Sequence, residues 1–151
     1  MDKDALLMLL QRFQAEGVQY ILVGGQAVRL NGFVRATEDI DILLPSSQEN
    51  GRRVIRALSF LPSSGDLQEE WFEVPADAPE NIRVADELLI DLLFAANGQT
   101  FETLQPHVRT LQIDGVEIRT LDIEGLLKTK TDYRHKDRID REALNRLKQQ
   151  L

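Results

Sequence analysis

Asp39 and Asp41 stand two apart inside an otherwise apolar run that includes Ile40, Ile42, Leu43 and Leu44. In a strand, successive side chains alternate between faces, so both carboxylates share one face while Ile40 and Ile42 point the other way into a core. Their Cα atoms then lie roughly 6 to 7 Å apart, close enough for both to ligate a divalent cation. A third carboxylate, Asp91, is the only polar residue in the apolar run 88–94. A buried carboxylate without a partner is costly. Asp91 must therefore meet a structural Arg or Lys, or a metal shared with Asp39 and Asp41. Three carboxylates holding two Mg²⁺ ions form an arrangement suited to in-line phosphoryl transfer. Asp91 would then sit nearest the acceptor, as metal ligand or general base.

Gly24 and Gly25 end the apolar run 20–23 and precede a short amphipathic stretch. A glycine-rich strand end that feeds a helix offers backbone N–H groups able to hold phosphate. Two glycines can equally form only a tight, closely packed turn. Gln26 follows them, where a small hydroxyl residue could contact phosphate directly, and Arg35 and Thr37 lie just before the aspartates. Gly24, Gly25, Gln26, Arg35 and Thr37 make up the nucleotide-binding candidates of this stretch, with a surface salt bridge as the alternative role for Arg35. A P-loop would need Lys-Ser/Thr where Gln26-Ala27 stands. A dinucleotide fold would need a third glycine and no Asp-x-Asp in the next strand.

Periodicity places the elements that must position these groups. Leu6, Leu7, Leu9, Leu10 and Phe13 recur at helical spacing over 3–16, and Gly17 stands at the helix end. The strand 19–23 is apolar on both faces, which predicts a central, buried strand. A helix is expected over 26–30, an approach loop over 33–38 and a second strand over 39–44. Pro45-Ser46-Ser47 caps a helix to about residue 59, with Val54, Ile55 and Leu58 on one face. Residues 61–66 read as loop, 71–74 as a short strand and 75–80, with two prolines, as irregular. Segments 82–84 and 88–94 form a hairpin joined at Asp86-Glu87, and a short helix follows near 101–104. Asp114-Gly115 signals a turn between strands 108–113 and 116–119. Two helices close the chain, over about 123–133 and 138–150, the second burying Ile139, Ala143, Leu144 and Leu147. The expectation is one α/β (α+β) domain over 1–151. It has a mixed central sheet flanked by helices over about 1–120 and a short C-terminal helical segment over about 121–151.

Composition bounds the class. The 151 residues are 42% hydrophobic and 28% charged, ordinary for a globular protein. No apolar run approaches the roughly 20 residues of a membrane helix, and Met-Asp-Lys-Asp lacks the basic start of a secretory signal. With no cysteine there is no thiolate metal site or disulfide framework, and a cytoplasmic protein is expected. The net charge of −7 argues against broad nucleic-acid binding. It is unevenly spread, however: residues 128–148 hold 8 Lys and Arg against 4 Asp and Glu. Such asymmetry suggests that this segment meets a polyanion.

Gly24-Gly25, Arg35-Ala36-Thr37, Asp39-Ile40-Asp41 and the distant Asp91 resemble the nucleotidyltransferase superfamily built on the DNA polymerase β-like palm, over about residues 5–95. The Arg-x-Thr-x-Asp-x-Asp form is similar to the AbiEii-type nucleotidyltransferases, toxins of type IV toxin–antitoxin pairs, and to one class of aminoglycoside adenylyltransferases. The segment Arg134-His135-Lys136-Asp137 through Asp140 resembles the Lys-Asp-x-x-Asp element of AbiEii-type proteins, which closes over the nucleotide. Lys136, Asp137 and Asp140 match that element, while Lys128 and Lys130 match only as basic residues upstream. The resemblance implies a Mg²⁺-dependent enzyme with Asp39, Asp41 and Asp91 as catalytic metal ligands. It would move an NMP from an NTP to a hydroxyl of RNA, protein or a small molecule, with a cognate antitoxin as a partner. With the sequence ending soon after Asp140, a further substrate-binding domain like that of the large toxins is not expected.

Each of these features has a plainer reading beside it. Asp132 with Lys136, Asp137 with Arg141 and Glu142 with Arg146 are i,i+4 pairs of a solvated helix. His135 reads as a surface residue, and Trp71 and Phe72 as core or pocket wall. The carboxylates between Asp66 and Glu87 suit the cationic substrate of an antibiotic adenylyltransferase, or simply solvated loops. A catalytically silent nucleotide- or partner-binding module is the alternative outside the enzymes. Intact Asp39, Asp41 and Asp91 speak against it.

Overall fold

A computed structural model describes residues 3–33 and 37–150. The first helix, α1 (Lys3–Glu16), buries Leu6, Leu7, Leu9, Leu10 and Phe13 along one stripe. It ends where Gly17 takes φ +69°, and the Val18 N–H donates back to the Phe13 carbonyl at 3.0 Å. That left-handed residue is one glycine adopts without a Cβ clash. Four strands then make the main sheet: β1 (Ile21–Val23), β2 (Asp39–Leu43), β3 (Ile82–Ala85) and β4 (Leu89–Leu93), in the order β1-β2-β4-β3. Strand β2 runs antiparallel to β1 and parallel to β4, while β3 is antiparallel to β4, so the sheet is mixed.

Strand β1 lies at the edge of this sheet, not at its centre as its two apolar faces predict. It is buried all the same. The cover is a second, two-stranded sheet of β5 (Val108–Ile113) and β6 (Val116–Leu121). Its turn carries Asp114 and Gly115 at φ +50° and +80°, the geometry of a tight two-residue hairpin turn. The Thr120 hydroxyl donates to the Leu22 carbonyl at 2.8 Å, and the Arg119 N–H donates to the Tyr20 hydroxyl at 3.2 Å. The open edge of β1 is thus covered by side-chain bonds without extending the ladder.

Between β1 and β2 comes α2 (Gly24–Leu30), and α3 (Gln48–Ala57) follows β2 with Ser47 as N-cap, its hydroxyl accepting from the Asn50 N–H at 3.1 Å. Asn50 is buried and makes a two-way bond with the backbone of Gln19, donating at 2.9 Å and accepting at 2.8 Å. This pair ties α3 to the segment entering β1. Asn50→Ala leaves both backbone groups of Gln19 without that partner and is expected to lower stability by about 2 kcal/mol in a denaturant titration.

The segment expected to be a strand at 71–74 is instead a 3-10 turn, Glu69–Phe72, packed on α3. Phe72 is buried there because Gly51 has no Cβ; one built at that position would lie 2.4 Å from the Phe72 Cβ. The 61–66 loop contains a further 3-10 turn, Pro62–Asp66, and the helix expected near 101–104 is a run of turns followed by the 3-10 turn Gln105–His107. The last helices are α4 (Ile123–Thr129) and α5 (His135–Gln149). Among the described residues no helix is long and apolar enough to cross a membrane.

Candidate active site

The backbone brings the three carboxylates together. Asp39 and Asp41 occupy the same face of β2, with Ile40 and Ile42 wholly buried on the other. Because β4 runs parallel beside β2 in register, Asp91 sits directly across from Asp41. Like charges at facing positions repel. Burial, the neighbouring Asp91 charge and hydrogen bond, and the Asp39 charge push the Asp41 carboxyl up to about 6, against an opposing pull from Lys130.

The glycine at the start of α2 makes room for this cluster. Gly24 has φ +70°, and a Cβ built there would lie 2.0 Å from Asp41 Oδ2. The loop therefore passes against the carboxylate at a distance only glycine permits.

A cleft of about 430 Å³ opens over this face and is lined by Gly24, Gly25, Thr37, Asp39, Asp41 and Asp91 on the sheet side. The opposite wall comes from the C-terminal segment, with Lys130, Thr131, Arg134, Lys136, Asp137 and Asp140. Of the site candidates singled out in the sequence, Gly24, Gly25, Thr37, Asp39, Asp41, Asp91, Lys136 and Asp137 thus line one cavity. Gln26 does not: it is buried behind the loop, its side-chain oxygen accepting from Arg29 at 3.4 Å. Arg35 lies outside the described residues.

The cationic wall is built differently from the expected pair of long helices. Helix α4 stops at Thr129, and Lys130 takes extended backbone. Two side chains satisfy the carbonyls this leaves. Asn97 donates to the Lys128 and Lys130 carbonyls, both at 3.1 Å, and Arg141 donates to those of Leu127 and Lys130, both at 3.2 Å. Asp137 accepts from the Thr131 N–H at 2.9 Å and its hydroxyl at 2.8 Å, fixing the turn before α5. Of the three i,i+4 pairs expected on this helix, Glu142 with Arg146 forms, at 3.6 Å. Ile139, expected in the core, is 43% exposed, and Asp137 and Asp140 take the inward face instead.

Asp140 is buried because it meets Lys130, whose ammonium lies 3.1 Å away and is itself nearly enclosed. Removing one member of a buried ion pair strands the other charge. Lys130→Met is expected to lower stability by about 3 kcal/mol, measurable by denaturant midpoint, whereas an exposed exchange such as Lys128→Met is expected to stay within about 0.5 kcal/mol.

Arg83 is the site residue the sequence did not point to. Its guanidinium lies 2.7 and 2.9 Å from the two oxygens of Asp91 and 3.4 Å from Asp39 Oδ2. The hairpin turn decides this. A two-residue turn at Asp86-Glu87 would set Arg83 opposite Ile90, on the wrong face. The Asp86 N–H instead bonds the Leu88 carbonyl at 3.1 Å, and Arg83 pairs with Asp91 in register. Ser63 and Glu87 hold that turn by donating their N–H groups to the Asp86 carboxylate at 2.9 and 2.8 Å.

Among the described residues no group of three His, Cys, Asp or Glu side chains already stands in a metal-holding arrangement. The donor set suits a hard divalent cation all the same. It offers three carboxylates and no softer ligand. Burial raises the Asp41 carboxyl first, and the Asp91 and Asp39 charges add to it, so a cation there would relieve the part due to like charge. Asp41 lines the cleft beside Gly24, which places no Cβ over it.

No family model matches the chain, nor does any curated protein. Among solved structures it is similar to a candidate nucleotidyltransferase from Thermotoga maritima, with 16% identity and a TM-score of 0.60 over 98% of this chain and 92% of that one. It is also similar to an antigenic nucleotidyltransferase-like protein from Paracoccidioides brasiliensis, with 17% identity and a TM-score of 0.55 over 96% of this chain and 74% of that one. At such identities the likeness is one of fold. The mixed sheet with its flanking helices is the architecture of these nucleotidyltransferase-like proteins.

Proposed function

We propose that the chain is a Mg²⁺-dependent nucleotidyltransferase that moves an NMP from an NTP to a hydroxyl acceptor and releases pyrophosphate. The observation that carries this reading is the meeting, in one cleft, of Asp39, Asp41 and Asp91 with Gly24 and Gly25 on one wall and Lys130, Arg134 and Lys136 on the other. The likeness in fold to nucleotidyltransferase-like proteins supports it.

Asp39, Asp41 and Asp91 would hold the metal, which when bound neutralises phosphate charge and lowers the pKa of the attacking hydroxyl. The chain's own groups do the rest. Arg134 and Lys136 hold the triphosphate and offset the charge that grows on the departing pyrophosphate. Gly24 and Gly25 bring backbone close to the same phosphates. The acceptor oxygen forms its bond to the α-phosphorus as the bond to the β-phosphate oxygen breaks, and a carboxylate oxygen of Asp91 takes the hydroxyl proton.

The C-terminal wall supports an AbiEii-type arrangement within this class. Lys136 and Asp137 lie in the first turn of α5 at the cleft, and Asp140, one turn on, anchors Lys130 beside it. In this reading Asp137 and Asp140 shape the wall, and the cationic side chains meet the nucleotide.

Calorimetric titration with each NTP, with and without Mg²⁺, tests the proposal. A Mg²⁺-dependent NTP signal is expected, weakened at least tenfold in Lys136→Ala through the loss of one charge-assisted phosphate contact. Absence of any Mg²⁺-dependent signal from the wild type contradicts the proposal.

A further inference from the structure

Arg83 stands in the centre of β3, the strand at the open edge of the main sheet, and pairs in register with Asp91. Its guanidinium touches both oxygens of Asp91 and one of Asp39. A divalent cation held by the three carboxylates would need these same oxygens. The side chain is half exposed, so it can leave without opening the core. A guanidinium stays protonated at any working pH, so the contact is a cation against carboxylates throughout.

We propose that Arg83 is an internal counter-cation that competes with the divalent metal for Asp39 and Asp91. This rests on the metal-dependent reading of the cleft given above. While the guanidinium is in place it screens the repulsion among the three carboxylates. A divalent ion must displace it, and the two cations repel each other while both are near. Free metal therefore loads the cleft weakly, and the phosphates of an arriving nucleotide help to secure it. Once displaced, Arg83 faces the neighbouring groove, lined by Glu73, Glu80 and Trp71, where carboxylates can receive it.

The competition gives a sign that a merely structural role does not. Losing a structural salt bridge loosens a site and weakens its ligands. Losing a competitor strengthens them. R83Q is expected to bind Mn²⁺ about tenfold more tightly than the wild type in a calorimetric titration without nucleotide. In chelator the same variant is expected to melt lower, because the carboxylates lose their counter-charge. R83K, which keeps a cation able to reach the same oxygens, is expected to return the affinity most of the way to wild type. R83T, with a side chain favoured in strands, takes the place of R83Q should the latter not fold. Binding by R83Q that equals or falls below that of the wild type overturns the competition and leaves the proposed function standing. No Mn²⁺ binding by either protein overturns both.

Discussion

Replacing Asp41 with Asn is expected to abolish nucleotidyl transfer, by at least about a thousandfold given the several kcal/mol a bound metal supplies, and yet to raise the melting temperature in chelator. The two effects have one origin. Asp41 faces Asp91 across two parallel strands, and its carboxyl is pushed up to about 6 by burial first and then by its acidic neighbours. A folded-state value above the ordinary 3.8 means that the folded protein holds the proton more tightly than the unfolded chain does. The associated stability is present below about 3.8 and is lost as pH rises through about 6. At pH 8 the wild type therefore carries a penalty of about 3 kcal/mol that Asn, neutral and able to donate to Asp91, does not. The variant is expected to melt several degrees higher at pH 8, and the difference is expected to vanish near pH 4. Adding Mg²⁺ should raise the wild-type melting temperature and leave that of the variant nearly unchanged. A variant that melts lower than wild type in chelator at pH 8 would make Asp41 a structural residue.

Gly24→Ala is the second change with a large expected effect. It combines a Cβ only 2.0 Å from Asp41 Oδ2 with a φ of +70°. The collision cannot be relieved by a swinging side-chain tip, because the Asp41 Cβ itself lies 2.9 Å from the added atom. Either the loop or β2 must move, and both line the cleft. Transfer is expected to fall at least a hundredfold, since an ångström of misplacement at a reacting centre has about that effect, and stability by roughly 2 to 3 kcal/mol through strain and overpacking. Gly115→Ala is the control. Gly115 has a similar φ of +80° but open space around its Cβ position, in the turn between β5 and β6. It should lose about 1 kcal/mol with transfer intact. Equal losses of activity in the two variants would show that Gly24 matters only as a flexible turn residue.

The parts of the site that rest on local geometry were legible in the sequence. Two-residue periodicity alone puts Asp39 and Asp41 on one face and Ile40 and Ile42 on the other. The isolation of Asp91 in an apolar run marks it as a side chain with a partner. The partner is Arg83, and its identity depended on one residue in a turn. Asp86 accepts from Ser63, a contact that lies far off in sequence and lengthens the loop enough to bring Arg83 onto the acidic face. A register shift of one residue turns every side chain over, so no reading of residues 82–94 alone could settle it.

The C-terminal wall shows the same limit. Helical spacing there pairs Asp137 with Arg141 and puts Ile139 inside. Tertiary partners override both, because Thr131 and Lys130 offer the two carboxylates better company than the helix surface does. The break after Thr129 is likewise set from outside α4, by Asn97 and Arg141 taking its last carbonyls. Strand β1 was misplaced for a related reason. Its two apolar faces look central in sequence, but β1 is an edge strand covered by a hairpin that comes about a hundred residues later, through Thr120 and Tyr20.

The most direct test of the account is the fate of the label from an NTP marked at either end of its triphosphate. The protein would be incubated with Mg²⁺ and a mixture of total RNA, cell protein and aminoglycosides, in parallel with Asp41→Ala. Label at the α-phosphate is expected to move to one acceptor class with the wild type only, and label at the γ-phosphate is expected to appear only in pyrophosphate. Transfer of the γ-label to an acceptor, or transfer of the α-label that survives Asp41→Ala, would contradict it.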